Sequence, residues 1–309
     1  MADLRVVYPP EIWARESLMI LQNTHVMANL VHRDFNNEIA QYGDTINTRK
    51  PDKFSVGSLS NTITASMTAA AATATPVQIL LDKHQYVAFA ITGRDQMTSI
   101  KNLIEEFMEP ATIPLAQKID DDLMNTTDGL GDITTAGISK VNVAATALSI
   151  ADFAAVRKQL RSQQVPFTMT NRQSKIHIVL GVEHEAQALQ ISEIVTANQS
   201  GINPPAVLTG FINTIYGMNI WADQGVPAGS TTTLPRSLCF HRNAINLTTR
   251  PMEQVGGEFG IRSSVVSKDG ISLRVMQSYQ HLQARWVMSF DILYGYKILD
   301  PLLATVLEG

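Results

Sequence analysis

The sequence predicts an α+β protein organised around an oversized β-hairpin. Three observations predict it. Residues 43–93 read as two extended arms joined by a tip of small residues. Amphipathic helical stretches flank that hairpin, at 11–31 and 98–124. Beyond them helix and strand patterns alternate, and the chain closes on long alternating strands.

The hairpin comes first because its geometry is unusual. Its arms, GDTINTRKPDKFSV (43–56) and TPVQILLDKHQYVAFAIT (75–92), are rich in β-branched and aromatic residues and bounded by turn residues. At about 3.3 Å per residue they would span roughly 45–60 Å. A compact domain of this length is only about 50 Å across. The hairpin should therefore reach past its own domain. Its tip, GSLSNTITASMTAAAATA, has too little apolar bulk to build a core. Order at the tip should depend on another chain.

Composition narrows the function classes. The 309 residues allow one large domain or two, and 45% hydrophobic content allows a sizeable core. Only 17% of residues are charged, below the usual quarter or so; a surface this poor in charge suggests cover by partners. A net charge of -4 argues against a dedicated nucleic-acid reader, though not against nucleic acid nearby. The single cysteine, Cys239, excludes an intrachain disulfide and reads as a small core residue. Residues 1–10 lack a signal-peptide apolar region, and no apolar run approaches the roughly 18 residues of a membrane helix. The expectation is a soluble protein made and used in a cytoplasm.

Along the chain, 11–31 is a helical pattern. Trp13, Ile20, Met27 and Val31 form its stripe, with Ile12, Met19, Val26 and Leu30 beside it, and Pro9 and Pro10 precede it. His25 and His32 are seven apart, unlike helix-borne metal ligands, and read as a polar edge. In the first hairpin arm, Arg49, Lys50 and Lys53 are either a solvated face or a salt-bridge patch for a neighbouring subunit. Pro51 suits an edge position. In 98–124 the apolar stripe runs through Ile100, Leu103, Ile104, Phe107 and Met108, then Ile113, Ile119 and Leu123. Pro110 and Pro114 predict a break or a kink, with a short helix ending near Glu109, then a longer one from Pro110 or Pro114. Asp120, Asp121 and Asp122 should fan around that helix as a solvated face.

Residues 126–146 read as a loop or hinge. GLGD at 129–132 lacks the third glycine, the lysine and the helix of a phosphate loop. Ser149 and Asp152 form a capping-box pair. The helix they open should bury Phe153, Val156 and Leu160 and turn Arg157, Lys158 and Arg161 the other way. A strand at 175–181 should direct Ile176, Ile178 and Leu180 to one side, before a helix at 183–191. Strand-like runs follow at 207–223 and 237–250. Lys268, Asp269 and Gly270 supply turn chemistry before the alternating run 271–279, whose partner is 285–299. No internal repeat is visible.

Chemistry is sparse. The sequence has no Walker loop, CxxC, HExxH or GxSxG. Glu183, His184 and Glu185 are the densest polar set, but adjacent helical positions diverge; they read as exposed first-turn residues. A serine triad could be assembled in space in any chain, and nothing here favours one.

Four phrases carry a family resemblance: LTGFINTIYGMNIWADQGVP followed by FHRNAINLTTRP, then DGISLRVMQSY and FDILYGYKILDP at the ending. With the element order and the GDTINTRKP opening of the hairpin, the chain resembles the major capsid (coat) proteins of tailed bacteriophages, with the fold named after phage Hong Kong 97. The resemblance implies an N-terminal arm at 1–42 and an extended loop at 43–93 that lies on a neighbouring subunit. It implies a peripheral domain, with spine helix and long strands, from 94–147 and 251–309, and a mixed α/β axial domain at 148–250 around the fivefold and sixfold centres. The implied function is self-assembly, as hexamers and pentamers, into an icosahedral shell enclosing double-stranded DNA, with no catalysis, cofactor, metal or membrane. Intersubunit contacts would come from Arg49, Lys50, Lys53, Phe54, Leu59, Ile63, Met67, Lys83 and Tyr86. Arg157, Lys158 and Arg161 are a candidate DNA-facing set, although the axial domain could equally present them outward.

An arm starting so near Met1 implies a separate scaffolding protein and no proteolytic maturation; a portal and a decoration protein are further implied partners. The connection at 225–235 is too short for an inserted domain. Lys50, Lys53 and Lys83 lie where some relatives cross-link, with no basis for choosing among them, and cross-linking is not expected. The implied location is the virion, after assembly in the host cytoplasm. The rival readings are an encapsulin-like cellular nanocompartment shell, a phage tail or decoration protein, and, from another class, a hydrolase.

Overall fold

A computed structural model of the chain describes residues 10–33, 45–51, 54, 56, 58, 69, 71–94, 103–134, 136–143, 147–167, 175–195, 212, 214–229, 235–255, 261–268 and 270–308. The longest strand is β12, Arg285–Ile298. It pairs antiparallel with β11 (Ile271–Gln280) and with β3 (Lys83–Thr92), and β10 (Ile261–Lys268) extends the sheet beyond β11. Where β11 ends, β9 (Ile245–Arg250) pairs with the C-terminal part of β12. Gly270, at φ 78°, makes the turn before β11 that the sequence predicts.

One face of this five-stranded sheet buries Leu273, Val275, Met288, Phe290 and Ile292. Helices α1 (Pro10–Thr24) and α3 (Leu103–Met124) pack on it. Helix α1 buries Trp13, Ala14, Leu18 and Leu21, whereas Ile12 and Met19, expected beside the stripe, are exposed. The expected single helix over 11–31 is interrupted. The backbone N–H groups of Val26 and Ala28 donate to the Asp120 carboxylate (2.7 and 3.0 Å), so a separate turn, α2 (Met27–Leu30), begins there.

Helix α3 runs unbroken through Pro110 and Pro114, which corrects the expected break. Each proline costs about 3 kcal/mol inside a helix. Against that, Met108, Ala111, Leu115, Ala116, Ile119 and Leu123 are all buried, at about 1.5–3 kcal/mol for each large side chain. Packing prevails over propensity here.

The second sheet has six strands in the order β4 (Ser139–Asn142), β13 (Ala304–Glu308), β8 (Arg236–His241), β5 (Ile176–Leu180), β7 (Met218–Ala222) and β6 (Thr214–Ile215). Helices α4 (Ile150–Ser162), α5 (Val182–Ala188) and α6 (Ser192–Val195) contribute to the core on one face, with Phe153, Val156 and Leu160 at its centre. The other face, with Val179, Leu238, Phe240 and Val306, merges into the core of the first sheet. The strand expected to bury one side therefore buries both. Cys239 is buried here, and burial pushes its thiol pKa up. The run 237–250 proves to be two strands, β8 and β9, divided between the two sheets by a 3₁₀ turn at Arg242–Ala244.

The hairpin is also divided. Strand β1 (Thr45–Pro51) pairs with β2 (Ala74–Leu80), from Thr45 opposite Leu80 to Pro51 opposite Ala74. The second arm, expected as one strand, breaks after Leu80, and its remainder is β3 in the main sheet. Leu81 turns inward onto Ile46 and Ile79, with Leu299 packed against them, while β3 gains a ten-residue ladder with β12. Gly295 makes the close passage possible, because a Cβ there would collide with the Leu80 carbonyl. Gly295→Ala should destabilise the chain by about 1–3 kcal/mol, read as a lower denaturation midpoint. An unchanged midpoint would mean that Leu80 passes farther from β12.

Candidate assembly interface

The β1–β2 ribbon buries Ile46 and Ile79, a directly opposed pair at its root. Beyond that pair Asn47, Arg49, Ala74, Thr75, Pro76 and Gln78 are all exposed. Seven paired residues reach about 24 Å. A two-stranded ribbon open on both faces is marginally stable in water; it requires a surface to lie on. Past it, Phe54 is 64% and Val56 100% exposed, which adds apolar area where none is sheltered.

The residues expected at a subunit contact separate into groups. Arg49 is exposed on the ribbon. Lys50 is not free for a neighbour in this arrangement: although it lies four residues beyond the root pair, opposite Thr75, its ammonium pairs with Asp300 of the same chain at 2.8 Å. Lys53, Leu59, Ile63 and Met67 lie outside the described residues. Lys83 and Tyr86 belong to β3 in the body, not to the ribbon. Lys83 is half-buried, 3.9 Å from Asp82 and 5.9 Å from the Tyr296 ring centre. Tyr86 is 69% exposed. Beside it the Asp291 carboxylate accepts two hydrogen bonds from Arg274 (3.1 and 2.5 Å) and lies 3.1 Å from His84 Nε2.

The basic residues of α4 do share one surface. The Asp152 carboxylate accepts the Ser149 N–H (2.8 Å) and hydroxyl (2.7 Å), the cap that the sequence predicts. Lys158 and Arg161 are exposed and Arg157 is half-exposed. The guanidiniums of Arg157 and Arg161 each sit 5.0 Å from the Phe167 ring centre.

The acidic triplet on α3 keeps the expected solvated position at Asp121, which is exposed, and departs from it at the other two. Asp120 and Asp122 are buried. Besides the two N–H groups of α2, Asp120 lies 3.2 Å from His25 Nδ1. Asp122 accepts the Tyr294 hydroxyl (2.6 Å) and the Lys118 ammonium (2.7 Å). Burial and Asp122 together push the Tyr294 phenol up. Asp121 lines a cavity of about 470 Å³ with Asp120 and Asp223, and burial raises both the Asp121 and Asp223 carboxyls. Nearby, Arg236 donates to Glu308 (3.0 Å) and to the Gly131 carbonyl (3.1 Å). These groups join α1–α2, α3 and the six-stranded sheet. A sequence signal for Asp122 existed: it stands three residues after Ile119 in the apolar stripe.

The polar set at 183–185 is not uniformly exposed. His184, expected on an exposed first turn, is buried; its Nδ1 lies 2.6 Å from the Ser237 hydroxyl, and burial lowers its pKa. Ser237 is fully buried and accepts the Gly181 N–H. Among the described residues no group of three or more His, Cys, Asp or Glu could hold a metal, and no helix is long and apolar enough to cross a membrane.

No family model matches the sequence, and no curated protein matches it. Solved structures do. A structure from Mycobacterium phage Che8 superposes with TM-score 0.65 at 18% identity, over 92% of this chain and 90% of that one. The capsid of cyanophage P-SCSP1u gives 0.64 at 12% identity, over 92% and 88%. The capsid of a native GTA particle gives 0.64 at 10% identity, over 92% and 89%. The chain thus has the fold of these phage and GTA capsid structures along nearly its whole described length.

Two buried histidines of the six-stranded sheet make stability depend on pH. His177 Nδ1 accepts the Trp221 indole N–H (3.3 Å), and His241 Nδ1 accepts the Asn243 N–H (3.2 Å). Burial, then the positive neighbours His241 and Arg242, lowers His177 from 6.5 to about 4; burial, then Lys175, lowers His241. The unfolded chain therefore takes up protons first as pH falls. Stability present above 6.5 is lost progressively toward pH 4, by about 3 kcal/mol at most from His177. Denaturant melts of the free chain at neutral and acid pH should show this loss, and His177→Gln should lose distinctly less. Equal acid sensitivity in the variant would contradict the assignment.

Proposed function

We propose that the chain is the major capsid protein of a tailed bacteriophage: copies of it close into an icosahedral shell around double-stranded DNA. The observation that carries this reading is the fold likeness, over about nine-tenths of both chains, to structures described as capsids. The exposed ribbon gives it a mechanism. A ribbon without a core gains most by lying across an adjacent copy, where its backbone edges and side chains find partners. Obligate contacts of this kind bury roughly 2,000 Å² or more. Spread over several neighbours, modest individual contacts add up to a cooperative closed shell.

In this reading the five-stranded sheet with α1 and α3 is the peripheral domain, α3 its spine, and the six-stranded sheet with α4, α5 and α6 is the axial domain around fivefold and sixfold centres. Residues 43–80 supply the extended loop. A separate scaffolding protein and a portal complete assembly in the host cytoplasm, and the mature location is the virion. The work is binding alone and calls for no cofactor.

Sedimentation and negative-stain microscopy of the purified chain, with and without a scaffolding protein, test this. Closed shells of uniform size are expected. Deleting residues 59–73 should leave a folded chain of unchanged circular dichroism that sediments only as small species. Full-size shells from the deletion variant would refute the role given to the ribbon and tip.

A further inference from the structure

The outer face of α4 differs from the rest of this acidic chain. Arg157, Lys158 and Arg161 fall within about one turn, and none has a carboxylate within ion-pair distance among the described residues. The helix's one acidic residue, Asp152, is turned inward to its cap. Among the described residues that charge is uncompensated, on a chain whose net charge is -4.

We propose that this face binds the phosphate backbone of double-stranded DNA and therefore faces the interior of the shell; the inference rests on the shell reading above. Three features favour a phosphodiester over the alternatives. A guanidinium fork matches paired phosphate oxygens. Arg157 and Arg161 share the Phe167 ring, so they lie at most about 10 Å apart and are held by a common support. With both guanidiniums on the ring, Phe167 is not a free platform for a base. Single-strand binders need such a platform, so contact here is through the backbone and independent of sequence. The remaining candidate is an acidic segment of another protein. Stable protein contacts centre on buried apolar or aromatic anchors, and no large apolar side chain of α4 is exposed.

The test uses the full chain, unassembled for duplex binding and assembled for labelling. Fluorescence anisotropy with a short labelled duplex should show binding that weakens in the triple variant R157Q/K158Q/R161Q at least tenfold at low salt. The slope of log affinity against log salt should become shallower by roughly two to three units. The control R262Q/K297Q, which removes exposed charge elsewhere, should bind as wild type. A single strand of equal length should bind no more tightly than duplex. Equal duplex binding by wild type and triple variant overturns the proposal. So does displacement of the duplex by polyglutamate at equal charge, which would point to an acidic protein partner. In particles, Lys158 should react with a small amine reagent less when DNA fills the shell than when it is empty; equal reaction overturns the inward placement. Microscopy of the same preparations reads the shell itself. A wild-type chain that forms shells, but whose duplex binding before assembly ignores the triple substitution, defeats this inference alone, whereas no shells from wild type defeat the reading beneath it.

Discussion

Strand β12 imposes the constraint from which the architecture follows. Its fourteen residues need backbone partners on both edges. Strand β3 fills one edge over ten residues; β11 and then β9 share out the other. Each of these partners leads elsewhere. Strand β3 leads back to the ribbon through Leu81, and β9 leads through a 3₁₀ turn into the six-stranded sheet. The chain after β12 returns to that same sheet as β13. Two cores are thus tied through one strand, and the ribbon is the part left without a core beyond its root.

Polar groups buried at the junction set how rigidly these parts are joined. Asp120 ends one helix and starts another by accepting two backbone N–H groups, and Asp122 holds Tyr294 of β12. Arg236, nearly buried, ties β8 to Glu308 of β13 and to the loop at Gly131. Breaking one partner of such buried sets is costly, because the other is left unmade in low dielectric. The body is therefore stiff where the ribbon is open. That contrast suits a subunit that keeps its shape and meets its neighbours through one projecting element.

Much of this was legible in the sequence, and the misses have physical causes. The hairpin, the capping box at Ser149 and the closing strands followed from local patterns, which the structure keeps. The second hairpin arm was read as one strand because β2 and β3 have the same strand composition; only the competing pull of β12 divides them. Pro110 and Pro114 misled because propensity says nothing of the packing of the buried face of α3, and both prolines lie on its exposed face. The aspartate triplet misled because Asp120 meets backbone more than ninety residues away in sequence, and Asp122 meets Tyr294 farther still. Of the residues expected at a subunit contact, Arg49, Phe54 and Tyr86 are exposed, and Lys50 is turned to its own chain through Asp300, a partner no local pattern announces. The basic face of α4 was visible from spacing alone; its Phe167 support was not.

The central claim is that the ribbon is stabilised by another copy. Amide hydrogen exchange, compared between free chain and assembled particles, tests it most directly. The claim predicts that amides of Thr45–Pro51 and Ala74–Leu80 exchange rapidly in the free chain and become strongly protected on assembly, while those of β11 and β12 change little. Ribbon amides that exchange equally fast in both states would contradict it.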